Sequence, residues 1–301
     1  MKAAFYETKD ISEEHITKEL ADINCIFINE PLNEHTIHHA HDADIISTVV
    51  QSKLTKETLQ QLTNLKLIAT RSTGYDHIDL PTCKEKKITV GYAPDYGTQA
   101  VAEFSIALML RLTKLHTLPS IELSGKTLGI IGTGRIGKNV IALAKQFNMR
   151  IIAYDINQDH KAAQEYNYTY TSLETLLKEA DIISIHAMLT KENHHLINKE
   201  TIKLLKPTAY IINTGRGALV QTEALLEALE QKRIAGAALD VWEEEQEPDH
   251  IAIQHLKQLP NAILTPHIAS KTQEALQRRT QTTINNIRAY LNNQPMNITQ
   301  P

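Results

Sequence analysis

The sequence predicts an α/β protein with two doubly wound parallel sheets, and three observations carry that prediction. Short apolar runs alternate with helix-like stretches through the first third of the chain, a glycine-rich turn interrupts them at mid-chain, and the alternation then restarts. Strands separated by helical crossovers are what a parallel sheet requires.

In the first part the runs are Lys2 to Tyr6, Cys25 to Ile28, Ile45 to Val50, Leu67 to Thr70 and Ile88 to Val90, with helical stretches such as Glu13 to Leu20 and Thr55 to Thr63 between them. Val101 to Leu115 reads as a long helix with few charges. It is too apolar for a solvated surface, which points to burial between domains or against another subunit. Thr127 to Ile131 reads as a buried strand, and Lys138 to Phe147 as a helix with Val140, Ile141, Leu143, Ala144 and Phe147 inward. Further strands are expected at Arg150 to Tyr154, Asp181 to His186, Ala209 to Asn213, Ala235 to Leu239 and Ile263 to Leu264. A last helix, about Thr272 to Asn292, is placed to return to the first unit and make it discontinuous.

Between Ile131 and Lys138 stands GTGRIG, Gly132 to Gly137, and the strand after it ends in Asp155, 18 positions beyond Gly137. Strand, glycine turn, helix and a distal acid together describe a dinucleotide site. Gly132 permits the tight turn, Gly134 lets the backbone approach a pyrophosphate, and Gly137 lets helix and strand pack closely. The amides of Arg135 and Ile136, in the first helical turn, face the phosphates with the helix dipole behind them. Asp155 can accept both adenosine ribose hydroxyls and would repel a 2′-phosphate, while Ile156, Asn157 and Gln158 supply no cation, so NAD is favoured over NADP.

Length and charge narrow the classes. With 301 residues and 42% apolar content the chain can bury two cores. A net charge of −4 without a basic stripe argues against nucleic acid, and no apolar run approaches the ~20 residues that span a bilayer. The start, MKAAFYE, is too short and acidic for a signal peptide. Cys25 and Cys83 form no CxxC and suit a reducing compartment, so the expectation is a cytoplasmic protein acting on a small molecule.

Open α/β sheets bind ligands at the carboxyl ends of their strands. Three polar features fall there: Arg216 in NTGRG after Tyr210 to Asn213, His267 in LTPHIAS after Ala262 to Leu264, and Glu243, Glu244, Glu245 and Glu247 after ALDVW. Oxidising an alcohol with NAD removes a hydride while a base takes the hydroxyl proton, and the reverse needs an acid. Histidine serves both roles, and a carboxylate beside it favours the imidazolium. Glu245 is the candidate carboxylate. Arg216 has the planar fork that grips a substrate carboxylate with two hydrogen bonds and polarises the neighbouring carbonyl, and the glycines beside it leave room.

These residues resemble a family, the NAD-dependent D-isomer-specific 2-hydroxyacid dehydrogenases, along nearly the whole chain. The matches are RSTGYDHIDL at Arg71 to Leu80, YGTQAVAEF at Tyr96 to Phe104, GTGRIG with Asp155, NTGRG at Asn213 to Gly217, GAALDVWEEE at Gly236 to Glu245 and TPHIA at Thr265 to Ala269. The resemblance implies a flavodoxin-like substrate domain at 1–97 plus 269–301, a Rossmann coenzyme domain at 98–268, an active cleft between them and a homodimer through the helix near 101–115. It puts the catalytic arginine at Arg216, the acid/base histidine at His267 and the glutamate at Glu245, five positions after Asp240. Glu247 is a rival, because related chains often place that glutamate directly before a proline and Pro248 follows it. Ser72, Thr73 and Gly74 match the loop whose amides hold the substrate carboxylate, and Tyr96 a position near the substrate. Asp240 and Asn213 to Gly215, with Thr214 and Gly215 in the turn, match nicotinamide-side contacts. His186 opens a loop that usually reads HxPLT near the adenosine and here reads HAMLT, with Met188 in place of the proline.

Within the family the motifs look like the D-lactate dehydrogenase branch, with pyruvate as the first expected substrate and glyoxylate, hydroxypyruvate and other 2-oxo acids as alternatives. That branch commonly carries an aromatic pair where Ser270 and Lys271 stand, and Lys271 can favour a second carboxylate or a phosphate. A non-catalytic corepressor-like member of the superfamily is disfavoured by the retained arginine, glutamate and histidine. Formate and phosphite dehydrogenases are disfavoured by the lack of their extra active-site features. No residues are assigned to a metal: His35, His38, His39 and His41 read as a solvated face, and His194 and His195 as surface residues.

Overall fold

A computed structural model describes residues 1–115, 119–243 and 250–299. The chain forms two compact units, Met1–Gly97 with Lys271–Pro301, and Thr98–Ser270.

In the first unit the strands are β1 (Lys2–Tyr6), β2 (Asn24–Ile28), β3 (Ile45–Ser47), β4 (Leu67–Ala69) and β5 (Thr89–Gly91), and the helices α1 (Glu13–Glu19), α2 (Lys56–Gln61) and α3 (Leu80–Glu85). All neighbours are parallel, in the order β2-β1-β3-β4-β5. This is the flavodoxin-like order, with its switch point between β1 and β3. The helix starts are written locally: Ser12, Thr55 and Asp79 each accept an amide of the first turn of α1, α2 and α3.

The second unit begins with α4 (Thr98–Leu115) and continues β6 (Thr127–Ile131), α5 (Arg135–Lys145), β7 (Arg150–Tyr154), α6 (His160–Glu165), β8 (Thr169–Tyr170), α7 (Leu173–Glu179), β9 (Ile182–Ile185), α8 (Lys199–Ile202), β10 (Tyr210–Asn213), α9 (Thr222–Glu230), β11 (Gly236–Leu239), α10 (Ile251–Gln258) and β12 (Ala262–Leu264). Its strands are again all parallel, in the order β12-β11-β10-β9-β6-β7-β8. Strands β9 and β10 are buried at every residue, as expected of a sheet covered on both faces.

The last helix, α11 (Gln273–Leu291), lies in the first unit, where Ile284 and Ile287 join Ala3, Phe5, Ile45 and Leu67 in one core. The apolar character of α4 has a source within its own unit, since Ala102, Ile106, Leu108, Met109 and Leu112 pack with Leu128, Ile130, Val140 and Ile141. The helix after the glycine turn starts earlier than its apolar spacing suggests, at Arg135, because Gly134 is its N-cap. Val140, Ile141 and Ala144 are buried as the spacing predicts, while Leu143 and Phe147 are only partly so.

One glycine fixes the spacing of the second unit. A Cβ on Gly129 would lie 2.6 Å from Leu176 Cδ2 and 3.0 Å from Ala180 Cβ, so α7 reaches β6 only because that side chain is missing. Gly129→Ala is expected to lose about 1–3 kcal/mol through overpacking. The check is a lower urea midpoint with an unchanged slope; an unaltered midpoint would mean that α7 moves freely.

Candidate active site

The strand order of the second unit lines up its functional loops. Strands β12, β11, β10, β9, β6 and β7 are consecutive neighbours, and the segments leaving their carboxyl ends carry His267, Asp240, Arg216, His186, the glycine turn and Asp155 respectively. The switch point lies between β9 and β6, beside the glycine turn, where such sheets hold their ligand.

Gly132 has φ 92°, and a Cβ there would sit 2.5 Å from the amide nitrogen of Ala187. A Cβ on Gly137 would lie 2.1 Å from Gly132 O, which forces the helix onto the turn. Gly134 differs: nothing lies within 4 Å of its missing Cβ, so the start of α5 opens onto free space. Arg135 is exposed and Ile136 half-buried in the same first turn. At the end of β7, Asp155 Oδ2 accepts from Thr133 N at 2.6 Å and Thr133 Oγ1 at 3.1 Å, and Oδ1 from Asn157 N at 2.8 Å. Thr133 also pairs with Tyr170 Oη at 2.7 Å, and Asp159 N donates to that phenol at 2.9 Å. The acid is thereby fixed beside the turn with one lone pair of Oδ1 left for a ribose hydroxyl. An open helix start and an anchored acid fit a dinucleotide.

His186 is half-buried between neighbouring loops. Its Nε2 is 2.8 Å from Ser184 Oγ and its Nδ1 3.4 Å from Thr214 Oγ1, which lies 3.0 Å from Ser105 Oγ on α4. Burial pushes its imidazole down to about 3, so the ring is neutral at physiological pH. Thr214 and Gly215 belong to the turn after β10, which Asn213 closes at both ends: its Oδ1 accepts from Gly215 N at 3.1 Å and its Nδ2 donates to Arg216 O at 3.0 Å. Arg216 is half-buried, with Nη1 donating to Gly215 O at 2.9 Å. A Cβ on Gly217 would come within 2.1 Å of Trp242 C and O, so this glycine serves the packing of the turn against the segment after β11 rather than room around the guanidinium.

Asp240 has a role that the motif did not reveal. It is 1% exposed, and its carboxylate accepts from Thr265 Oγ1 at 2.6 Å, Ile268 N at 2.9 Å and Ala269 N at 2.8 Å, while its carbonyl accepts from His267 N at 3.0 Å. His267 is half-buried and sits at φ 51°, so this clamp holds its backbone in the left-handed region. The expected nicotinamide contact is, in its carboxylate, the anchor of the histidine loop.

Glu245 and its rival Glu247 lie outside the described residues. Glu243, the first of the run, is engaged elsewhere: His195 Nε2 donates to its Oε1 at 2.5 Å and Thr222 N to its Oε2 at 2.8 Å. Burial opposes its charged form, but those hydrogen bonds prevail and hold its carboxyl below the usual range. His195 is thus a half-buried hydrogen-bond partner of Glu243 and not the surface residue read from the sequence, whereas His194 is exposed.

The remaining predicted residues belong to the first unit. Arg71, fully buried after β4, donates to the carbonyls of Tyr6 and Glu7 and to Ser47 Oγ, which fastens the start of the RSTGYD loop to the ends of β1 and β3. Thr70 Oγ1 pairs with Ser72 Oγ at 2.7 Å, and Ser72 Oγ donates to Gly74 O at 2.6 Å. Ser72 O accepts from Ala93 N at 3.0 Å, and Thr73 Oγ1 donates to Ala93 O at 2.9 Å. Ser72 and Gly74 are buried, Thr73 is exposed, and Tyr96 is buried with Arg279 5.8 Å from its ring centroid.

Comparison with known proteins gives one consistent result. Residues 104–269 match the model of the D-isomer specific 2-hydroxyacid dehydrogenase, NAD binding domain. A glyoxylate reductase of Thermofilum pendens is 39% identical over 281 residues, 87% of this chain and 82% of that one. An aromatic 2-oxoacid reductase of Clostridium sporogenes is 38% identical over 291 residues, covering 87% of each. The crystal structure of D-lactate dehydrogenase from Aquifex aeolicus complexed with NAD and lactic acid superposes with a TM-score of 0.92 at 35% identity, over 97% of this chain and 96% of that one.

Two outcomes follow from this geometry. NADH should exceed NADPH by well over tenfold in catalytic efficiency, and Asp155→Ala should narrow the gap by removing both the repulsion and the diol acceptor; comparable efficiencies in the unaltered protein would contradict the role of Asp155. Burial pushes His186 from 6.5 down to about 3, so below about pH 6.5 the unfolded chain takes up a proton that the folded one does not, and stability present above that pH is lost as pH falls toward 3. Between pH 6.5 and 5, above the carboxylate range, the urea midpoint should fall with acidification in the unaltered protein and fall less in His186→Gln.

Proposed function

Since the chain belongs to the D-isomer-specific 2-hydroxyacid dehydrogenases, we propose that it reduces a small 2-oxo acid to the D-2-hydroxy acid with NADH, pyruvate first, and runs the reverse oxidation. The observation that carries this reading is the placement of Arg216 and His267 on loops at one edge of the same sheet, after β10 and β12, fixed by Asn213 and Asp240 from inside.

When bound, the reduced nicotinamide supplies the hydride. Arg216 grips the substrate carboxylate with its fork and stabilises the negative charge that builds on the carbonyl oxygen. His267 gives that oxygen its proton in reduction and takes the hydroxyl proton in oxidation. Glu245 is the proposed carboxylate beside His267, which keeps the acid form available. Ser72, Thr73 and Gly74 are the proposed contacts of the substrate carboxylate and Tyr96 a neighbour of its side chain. A homodimer through α4 and a cytoplasmic location complete the proposal.

Glyoxylate is the second reading, supported by relatives such as the glyoxylate reductase of Thermofilum pendens. Pyruvate and glyoxylate differ by one methyl group, worth about 1–3 kcal/mol in a fitted pocket, so the preference is within reach of one or two side chains. Ser270 and Lys271 are the foremost of these.

Initial rates of NADH oxidation with pyruvate, glyoxylate, hydroxypyruvate and an aromatic 2-oxo acid test the assignment. Pyruvate should lead in kcat/KM; a tenfold lead for glyoxylate would transfer the assignment to that acid, and no turnover with any would remove it. His267→Ala should lose on the order of 10²–10⁴ in turnover with NADH binding retained. Arg216→Lys should raise KM for the 2-oxo acid and lower kcat together, because an ammonium keeps the charge but not the two-pronged contact. Unaltered kinetics would leave Arg216 a structural residue. Glu245→Gln should move the limb of the reduction profile that reports the acid to lower pH, while Glu247→Gln leaves it in place; the opposite pattern assigns the role to Glu247.

A further inference from the structure

His194, His195 and Glu243 gather on the second unit with no part in the reaction above. One ligating atom from each lies within 4.8 Å of the other two. The two imidazoles are consecutive in sequence, and an extended backbone would send them to opposite sides. His195 instead has φ 53°, its amide donates to Ala218 O at 2.8 Å and its carbonyl accepts from Asn198 Nδ2 at 2.9 Å. This turn brings the rings together, with centroids 3.9 Å apart.

The acceptor side is equally fixed. Glu243 is half-buried, and while Oε1 takes the His195 proton, Oε2 is held by Thr222 N at the start of α9. An oriented carboxylate, an oriented imidazole and a second, exposed imidazole form a donor set of two nitrogens and one oxygen. That set suits borderline transition metals and not magnesium or calcium, which take oxygen ligands.

We infer that His194, His195 and Glu243 form a site for a divalent transition-metal cation of the zinc type, with water completing the coordination. Binding releases the proton that His195 Nε2 shares with Glu243, and the metal takes its place between the two side chains. Tetrahedral bonds of about 2.0–2.2 Å bring ligand atoms to about 3.3 Å from one another, a closure that the exposed His194 ring can make by rotation. The backbone amide on Glu243 Oε2 then acts as the outer contact that orients a ligating carboxylate. Because His195 is tied to Ala218 and Glu243 to Thr222, the cation would brace the short 3-10 turn Gly217–Leu219 that follows Arg216 together with the start of α9.

The test is calorimetric titration of the chelator-treated full chain with Zn²⁺ alone, with Co²⁺ absorption as a second readout of nitrogen ligation. One Zn²⁺ per chain is expected with a Kd in the micromolar range. His194→Ala removes only an exposed ring, so it should fold with unchanged metal-free unfolding temperature and bind at least tenfold more weakly. Glu243→Gln should do the same to binding even where it lowers the unfolding temperature. The double variant His38→Ala/His39→Ala is the control, since those rings form another adjacent histidine pair with centroids 3.9 Å apart. It should bind as the unaltered protein does. Absence of binding below millimolar Zn²⁺, equal binding by His194→Ala, or loss of binding in the His38/His39 variant would each overturn the site.

Discussion

A carboxylate almost wholly withdrawn from water is tolerated only when its lone pairs are filled, and Asp240 fills them from a single loop, through Thr265 Oγ1 and the amides of Ile268 and Ala269. With the carbonyl of the same residue receiving His267 N, four hydrogen bonds converge on one residue and hold the histidine loop in a left-handed turn that its sequence alone would not favour. Removing the carboxylate would take the partner from the amides of Ile268 and Ala269 and leave Thr265 Oγ1 with only the Leu239 carbonyl at 3.5 Å, and the position of His267 would go with them. Asn213 performs the same service one strand further along by bridging Gly215 N to Arg216 O. The two groups proposed for catalysis thus rest on buried polar side chains at the ends of β10 and β11, two interior strands of the sheet.

Backbone proximity makes the rest of that edge. Gly132 lies against Ala187, and Gly217 against Trp242, at distances that exclude any side chain. The glycine turn is thereby pressed onto the His186 loop, and the Arg216 turn onto the segment after β11. Beyond the glycine turn lies the Thr133, Tyr170 and Asp155 network, which sets the acid at the height of the helix start. Parallel strands supply the alignment because all their carboxyl ends emerge on one side.

Much of this is legible in the residues. GTGRIG, NTGRG and TPHIA are contiguous and flanked by apolar strands, so local pattern suffices to locate the glycine turn, Arg216 and His267. Strand β8 escapes such a reading because two residues carry no periodicity, and the apolar spacing alone misses the first turn of α5, which the glycine motif supplies by placing Arg135 and Ile136 there. The pairing of His195 with Glu243 spans 48 positions and joins two loops, so no spacing rule could announce it. For Asp240 the motif gives the correct edge of the sheet but not the carboxylate's partners, because a motif records only that an acid is needed. Hydrogen bonds alone tell whether that acid faces a ligand or a loop.

Stereospecific hydride transfer at the 2-carbon is the claim on which the account rests, and it can be read directly from the product. With NADH carrying two deuterium atoms at the nicotinamide C4 and pyruvate as acceptor, the account predicts D-lactate alone, carrying one deuterium at C2, by chiral chromatography coupled to mass spectrometry. L-lactate, a racemate, or product without deuterium at C2 would contradict it.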